Sequence, residues 1–82
     1  MLKVKVNQIA NNQFEIVTDE GRYFQSYSTV IAFHGERGVH LDPQWDYSKT
    51  TTKYLNQFLG TASKKEIEAG IKSGRYLIEE LN

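Results

Sequence analysis

The sequence predicts a single α+β domain over residues 1–82: an antiparallel sheet of four to six strands packed against two short helices at 48–59 and 64–73. In the first half of the chain, apolar residues alternate with polar ones at the two-residue period of strands, and turn residues separate the alternating runs. After Pro43 the apolar spacing changes to the roughly 3.6-residue period of helices. Strands and helices therefore occupy separate parts of the chain, which is the α+β arrangement.

The first two strands follow from alternation. A half-buried first strand is expected because Leu2, Val4 and Val6 alternate with polar residues. Asn11-Asn12 supplies a tight turn, since asparagine tolerates positive φ. A second strand through Phe14 and Ile16 follows.

The next strands lie between two turns. Asp19-Glu20-Gly21 predicts a turn, and residues 22–33 are the most β-prone stretch of the chain. That stretch is long for one strand, so a bulge or break is expected at Ser26 or Ser28. A five-residue loop at 34–38 then precedes a short strand at 39–41.

The first helix is expected to begin at Ser48 or Asp46 as the N-cap and to end at Gly60. At 100° per residue, one side of this helix is apolar and the opposite side carries Lys49, Lys53 and Asn56. The apolar arc consists of Thr51, Tyr54, Leu55, Phe58 and Leu59.

A second, shorter helix is predicted from a capping box in which Ser63 accepts from the third amide and Glu66 reaches back. Ile67 and Ile71 form its apolar stripe, and Gly74 can close it. Residues 75–81 predict a last strand that pairs with the sheet.

Composition excludes several function classes. The chain has no cysteine, which removes disulfides and thiolate chemistry, and its formal net charge is zero, which opposes generic binding to nucleic acid or membranes. No apolar run approaches the roughly 20 residues of a membrane span, and residues 1–10 lack the apolar stretch that is typical of a signal peptide. We therefore expect a cytoplasmic protein without membrane association.

The ten basic and ten acidic residues are unevenly distributed along the chain. Residues 1–47 contain four basic and six acidic residues, a net charge of −2, and residues 48–82 contain six basic and four acidic residues, a net charge of +2.

Catalysis and metal binding lack a supporting pattern. His34 and His40 could face one another across a hairpin near Asp42, but no third strong ligand has a fixed spacing, so a solvated histidine pair is the preferred interpretation. The chain has no phosphate-binding or nucleophile motif. We expect no enzyme activity, no catalytic residue, no metal and no cofactor.

An aromatic and polar cluster, Trp45 to Thr51, supports two interpretations. Exposed Trp45 and Tyr47 could form a protein-recognition patch with Lys49 and Lys53 beside them. Alternatively, the two aromatic side chains pack beneath the sheet, which we favour because a small domain has few other large core residues. Tyr23, Gln25 and Tyr27 share one face of a regular strand, and the two tyrosines provide a further candidate contact surface.

Residues 48–65 contain four lysines and no acidic residue, a local charge of +4. This stretch suggests a nucleic-acid interface as an alternative, although Tyr54 and Phe58 lie on the opposite, apolar side of the helix. The residues of that interface would be Lys49, Lys53, Lys64 and Lys65.

The segments YFQSYSTVIA at residues 23–32 and WDYSKTTTKYLNQFLG at residues 45–60 resemble a family of small uncharacterised proteins of phages and prophages of Gram-positive bacteria. Residues 64–76 also resemble its members. The resemblance implies a phage or prophage origin. On that basis we expect a non-enzymatic accessory protein that binds a host or phage protein in the bacterial cytoplasm, for example an anti-defence inhibitor of the anti-CRISPR type. The alternatives are a small nucleic-acid-binding regulator and a virion or assembly component. Oligomeric state is left open.

Overall fold

The computed structural model describes residues 3–82, which form six strands and two helices. The α+β fold class is confirmed, and both helices lie within one residue of the predicted bounds. The elements are β1 Lys5–Ala10, β2 Gln13–Thr18, β3 Gly21–Ser26, β4 Thr29–Gly35, β5 Gly38–Leu41, α1 Lys49–Leu59, α2 Lys64–Lys72 and β6 Tyr76–Ile78.

All six strands form one sheet whose order follows the chain, β1 to β6. The first five strands are antiparallel, and each consecutive pair is joined by a two-residue turn. After α1 and α2, β6 returns to pair with β5 in parallel, with Val39 opposite Tyr76. The last strand therefore joins the sheet as expected, over fewer residues than predicted.

The core lies between the helices and one face of the sheet. A bulge in β4 contributes to it: Phe24 pairs with Ala32 and Gln25 pairs with Val30, which leaves Ile31 without a partner in β3. Ile31 and Ala32 are consequently both buried. The buried apolar residues are Phe24, Ile31, Ala32, Leu41, Leu55, Phe58, Ile67 and Tyr76.

Local signals fix the helix ends. The Ser48 side chain accepts from the Thr51 amide at 3.1 Å, so Ser48 rather than Asp46 is the N-cap of α1, and Gly60 ends the helix with φ 76°. Ser63 caps α2, but the Glu66 carboxylate accepts from the Ala62 amide at 3.1 Å and not from Ser63 itself. The first turn of α2 is thus capped by a variant of the predicted capping box.

Val6 of β1 and Phe14 and Ile16 of β2 lie on the side of the sheet opposite the helices, whereas Val17 lies on the helical side. The prediction of a half-buried first strand is wrong for Val4 and Val6, which are 59% and 58% exposed; Leu2 lies outside the described residues. In β2 the fully buried side chain is Gln13, whose amide nitrogen and oxygen have no hydrogen-bond partner among residues 3–82. The alternation is present in both strands, but the helices cover the face that carries Gln13 and not the face that carries Val6 and Ile16.

The lack of a side chain at Gly70 allows α2 to pack close to β6. A Cβ at this position would overlap the ring of buried Tyr76. Alanine favours helix by about 1 kcal/mol over glycine, whereas overpacking costs about 1–3 kcal/mol. We expect Gly70→Ala to lower the free energy of unfolding by about 1 kcal/mol in urea denaturation. An increase of that size would show that the Tyr76 ring yields and that helix propensity prevails.

Candidate functional site

The helices cover only one face of the sheet. Arg22 and Phe24 point to the helices, since the Arg22 guanidinium lies 4.8 Å from the Phe58 ring centroid and the Phe24 and Phe58 centroids are 5.9 Å apart. Tyr23, between them, therefore points to the opposite side. We call that side the open face.

One continuous cross-strand row runs along the open face. Each of the six strands contributes one residue to this row, and each member lies directly opposite the next. Three members of the row are aliphatic, one is a tyrosine, one is a phenylalanine and one is a histidine. In sheet order the row is Val6, Ile16, Tyr23, Phe33, His40 and Leu77.

A pocket of about 460 Å³ lies on the β3–β5 part of the open face. The rings of Tyr23 and Phe33 are paired in its lining, with centroids 4.7 Å apart, and the His40 ring lies 6.3 Å from that of Phe33. Two turns and the segment after β6 supply the other walls. We call it the acidic pocket; its lining residues are Asp19, Glu20, Tyr23, Phe33, Glu36, Arg37, His40, Glu79 and Leu81.

Two glycines allow the β2–β3 and β4–β5 turns to lie side by side at one end of the sheet. Gly21 is paired with Gly35 across β3 and β4. A Cβ on Gly21 would overlap the His34 carbonyl, and a Cβ on Gly35 would overlap the Glu20 carbonyl. The backbone itself therefore shapes this end of the pocket.

The acidic pocket is lined by four carboxylates and one guanidinium. Within residues 3–82, no lysine or arginine lies within 4.0 Å of the carboxylates of Asp19, Glu20 or Glu36. The excess of negative charge, together with aromatic rings, favours a cationic ligand.

His40 is the buried polar group of this pocket, 6% exposed. Its Nε2 lies 3.3 Å from the Arg37 carbonyl, and its Nδ1 lies 2.9 Å from Glu79 Oε1. The second contact is close enough for an ion pair but is not aligned as a hydrogen bond, so Nδ1 has no aligned partner among the described residues. The pocket thus contains a buried polar atom that is not fully satisfied.

The residues predicted to bind a partner are divided between the two sides of the sheet. Trp45 is half-buried and packs against the core, as the preferred interpretation holds, whereas Tyr47 is 67% exposed. Lys49 and Lys53 are exposed on α1, and the Lys53 amine lies 5.3 Å from the Tyr54 ring centroid. These four residues belong to the helical side.

Tyr23 and Tyr27 do not share a strand face. The β-prone stretch breaks at Tyr27-Ser28, as expected, and Tyr27 occupies the turn with φ 56° while its amide donates to the Asn12 carbonyl at 2.7 Å. Of the predicted contact residues, Tyr23 alone belongs to the cross-strand row.

The predicted basic stretch is partly neutralised. Lys64 forms an ion pair with Asp46 at 2.6 Å, and the hydrogen bond to that carboxylate raises the pKa of Lys64. Lys65, like Lys49 and Lys53, is exposed. The four lysines therefore do not form a uniform set of free charges.

The two histidines do not face one another. The predicted loop at 34–38 is only a two-residue turn, and His34 lies in β4 opposite Val39, whereas His40 lies opposite Phe33. They consequently project from opposite faces of the sheet. Within residues 3–82, no three His, Cys, Asp or Glu side chains are grouped to hold a metal ion.

Sequence reasoning missed the acidic pocket. The sequence patterns did not identify Phe33 or Glu79 as site residues, although the acidic residues next to Gly21 and Gly35 could have indicated a pocket at these two turns. The second signal was the alternation in β1 and β2, which places Val6, Phe14 and Ile16 on one face of the sheet and Gln13 and Glu15 on the other.

Neither helix among the described residues is long and apolar enough to cross a membrane. No curated protein and no solved structure matches the chain. The model of a protein family described as "Family of unknown function (DUF8033)" matches residues 4–74. Because this match spans most of the sequence, the chain belongs to the DUF8033 family.

Proposed function

We propose that this domain acts without catalysis, by binding a partner protein against the open face of its sheet. The observation that carries the proposal is the cross-strand row, which places an apolar or aromatic side chain on five of six adjoining strands. Contiguous apolar surface of this kind is typical of protein interaction sites.

Exposure along the row supports this function. Val6 and Leu77, at its two ends, are 58% and 48% exposed, and Val4 extends the apolar surface beyond β1. Tyr23 and Phe33, near the middle, are half-buried aromatic residues of the type that dominates binding hot spots. The partner would bury a central aromatic patch with an apolar margin.

The acidic pocket indicates the charge of that partner. Its carboxylates adjoin the aromatic part of the row, so a partner with a basic surface would be attracted and oriented there. We propose a host or phage protein as the partner and an anti-defence role, as for an anti-CRISPR inhibitor, in the bacterial cytoplasm. The resemblance to phage and prophage proteins supports this biological setting.

A pull-down with matched variants tests the site. We expect purified tagged protein to capture a stoichiometric partner from a Gram-positive lysate, and Val6→Lys with Leu77→Lys to reduce its recovery at least about tenfold by quantitative mass spectrometry. Both residues are about half exposed, so the variants should fold. Lys49→Glu with Lys53→Glu, on the helical side, is the control and should retain capture.

The opposite pattern would contradict the proposal. Capture that survives the open-face variants but fails in the lysine variants would place binding on the helical side. Nucleic-acid binding predicts the same lysine dependence, with affinity that falls steeply as salt rises. A virion or assembly component predicts oligomers by light scattering. Absence of any stoichiometric partner would also count against the proposal.

A further inference from the structure

We propose that the acidic pocket receives an arginine side chain of the partner, with the guanidinium between the carboxylates and the Tyr23–Phe33 pair. This inference rests on the proposed function, because it identifies what the partner inserts at the open face. It adds a ligand chemistry that can be measured without the partner.

Charge is the first reason. Asp19, Glu20 and Glu36 have no lysine or arginine within 4.0 Å in the described part of the chain, although they line one pocket with Glu79. Carboxylates that share a pocket repel one another, and an inserted cation would relieve that repulsion. A single Arg37 lines the same pocket, so an uncompensated negative charge remains.

The aromatic lining is the second reason. Tyr23 and Phe33 are adjacent across β3 and β4 with centroids 4.7 Å apart, and they present ring surface to the pocket. A cation near such rings gains cation–π attraction, which is stronger where water is excluded.

His40 supplies the third reason. Its Nε2 lies 3.3 Å from the Arg37 carbonyl, and its buried Nδ1 lies 2.9 Å from Glu79 Oε1 without forming an aligned hydrogen bond. The Glu79 carboxylate, which is about half exposed, therefore retains the capacity to accept from the N–H groups of an inserted guanidinium.

The chain already uses this chemistry on its helical side. The Arg22 guanidinium donates to Glu15 at 2.7 Å, lies over the Phe58 ring and approaches His34 Nδ1 at 3.0 Å. A carboxylate, an aromatic ring and an imidazole thus surround one arginine. The acidic pocket offers the same three groups, and its own Arg37 lies more than 4.0 Å from every carboxylate among residues 3–82. Guanidinium suits this set better than ammonium because it is planar, forked and weakly hydrated.

The test uses the whole protein, labelled with ¹⁵N, and three small probes: N-acetyl-arginine amide, N-acetyl-lysine amide and N-acetyl-citrulline amide. We expect saturable amide shifts at Tyr23, Phe33 and Glu79 with the arginine probe, at a dissociation constant on the order of 1 mM. The neutral citrulline probe should bind at least about tenfold more weakly, and the lysine probe about threefold more weakly.

Glu36→Gln and Glu79→Gln should each weaken arginine binding about threefold to tenfold. Glu68→Gln, at an exposed position on α2, is the control and should leave it unchanged. Non-saturating shifts, equal binding of arginine and citrulline, or indifference to both pocket variants would overturn the inference.

The two proposals fail separately. If the arginine probe does not bind while Val6→Lys with Leu77→Lys still abolishes partner capture, only the pocket inference is wrong. If the probe binds but partner capture does not depend on the open face, the proposed function is wrong and the pocket is a cation site of another kind.

Discussion

Replacement of Gly21 by alanine is expected to lower the free energy of unfolding by about 4 kcal/mol. Gly21 has φ 149°, a conformation that costs other residues about 1–3 kcal/mol. The added Cβ would also overlap the His34 carbonyl and the Gly35 backbone, and such overpacking costs about a further 1–3 kcal/mol because β4 cannot move away without losing its pairing.

Gly38→Ala separates these two contributions. Gly38 also has a positive φ, 97°, but nothing lies within 4 Å of a Cβ built there. It should therefore cost only the conformational strain, about 1–3 kcal/mol, in the same urea denaturation experiment. Equal losses in the two variants would show that the close approach of the β2–β3 and β4–β5 turns contributes nothing.

Replacement of Asp42 by alanine is expected to cost about 3 kcal/mol. The buried carboxylate accepts from the Gln44 amide at 3.0 Å, from the Leu81 amide at 2.9 Å and from the Asn82 side chain at 3.0 Å. These bonds fix residues 79–82 beside the end of β5. Asn82 in turn bonds both backbone groups of Val30, so the loss of Asp42 should loosen that contact as well.

The same carboxylate predicts a pH dependence. Burial alone would raise the pKa of Asp42, but the hydrogen bonds from Leu81, Gln44 and Asn82 outweigh it and hold that pKa below its ordinary value of 3.8. Because the pKa of Asp42 is lower in the folded state than in the unfolded state, the ionised carboxylate contributes its full stabilisation above pH 3.8. That contribution is lost as the pH falls through the folded-state pKa.

Urea denaturation of the natural and Asp42→Ala proteins at neutral pH and near pH 3 measures this effect. The difference between their free energies of unfolding should shrink at the lower pH. A difference that is independent of pH would show that the charge of Asp42 does not contribute.

Much of the fold could be predicted because its signals are local. Ser48 and Gly60 fix the ends of α1 through bonds to nearby residues, and Asn12 takes the positive φ that its turn requires. The sequence did not reveal which face of the first strand is buried. Alternation shows that Val4 and Val6 share a side, but it cannot show whether the helices cover that side, because this depends on how β1 joins a sheet whose other strands decide where the core lies.

The acidic pocket was beyond sequence reasoning for a related cause. Its residues come from the β2–β3 turn, the β4–β5 turn, three strands and the segment after β6. Glu79 reaches His40 only because β6 pairs in parallel with β5, and no local pattern specifies that partner. The aromatic pair of Tyr23 and Phe33 likewise depends on the β3–β4 register, which the bulge at Ile31 shifts.

From the parallel pairing of β5 with β6 we expect a defined order of assembly. β1 to β5 can form from hairpins between neighbouring strands, which is fast, whereas β6 can join only after the chain has closed a loop that contains both helices. Leu77, the last member of the cross-strand row, and Glu79, one wall of the acidic pocket, arrive only at that step. A nascent or partly unfolded chain therefore lacks the complete surface, and only the fully assembled domain presents it.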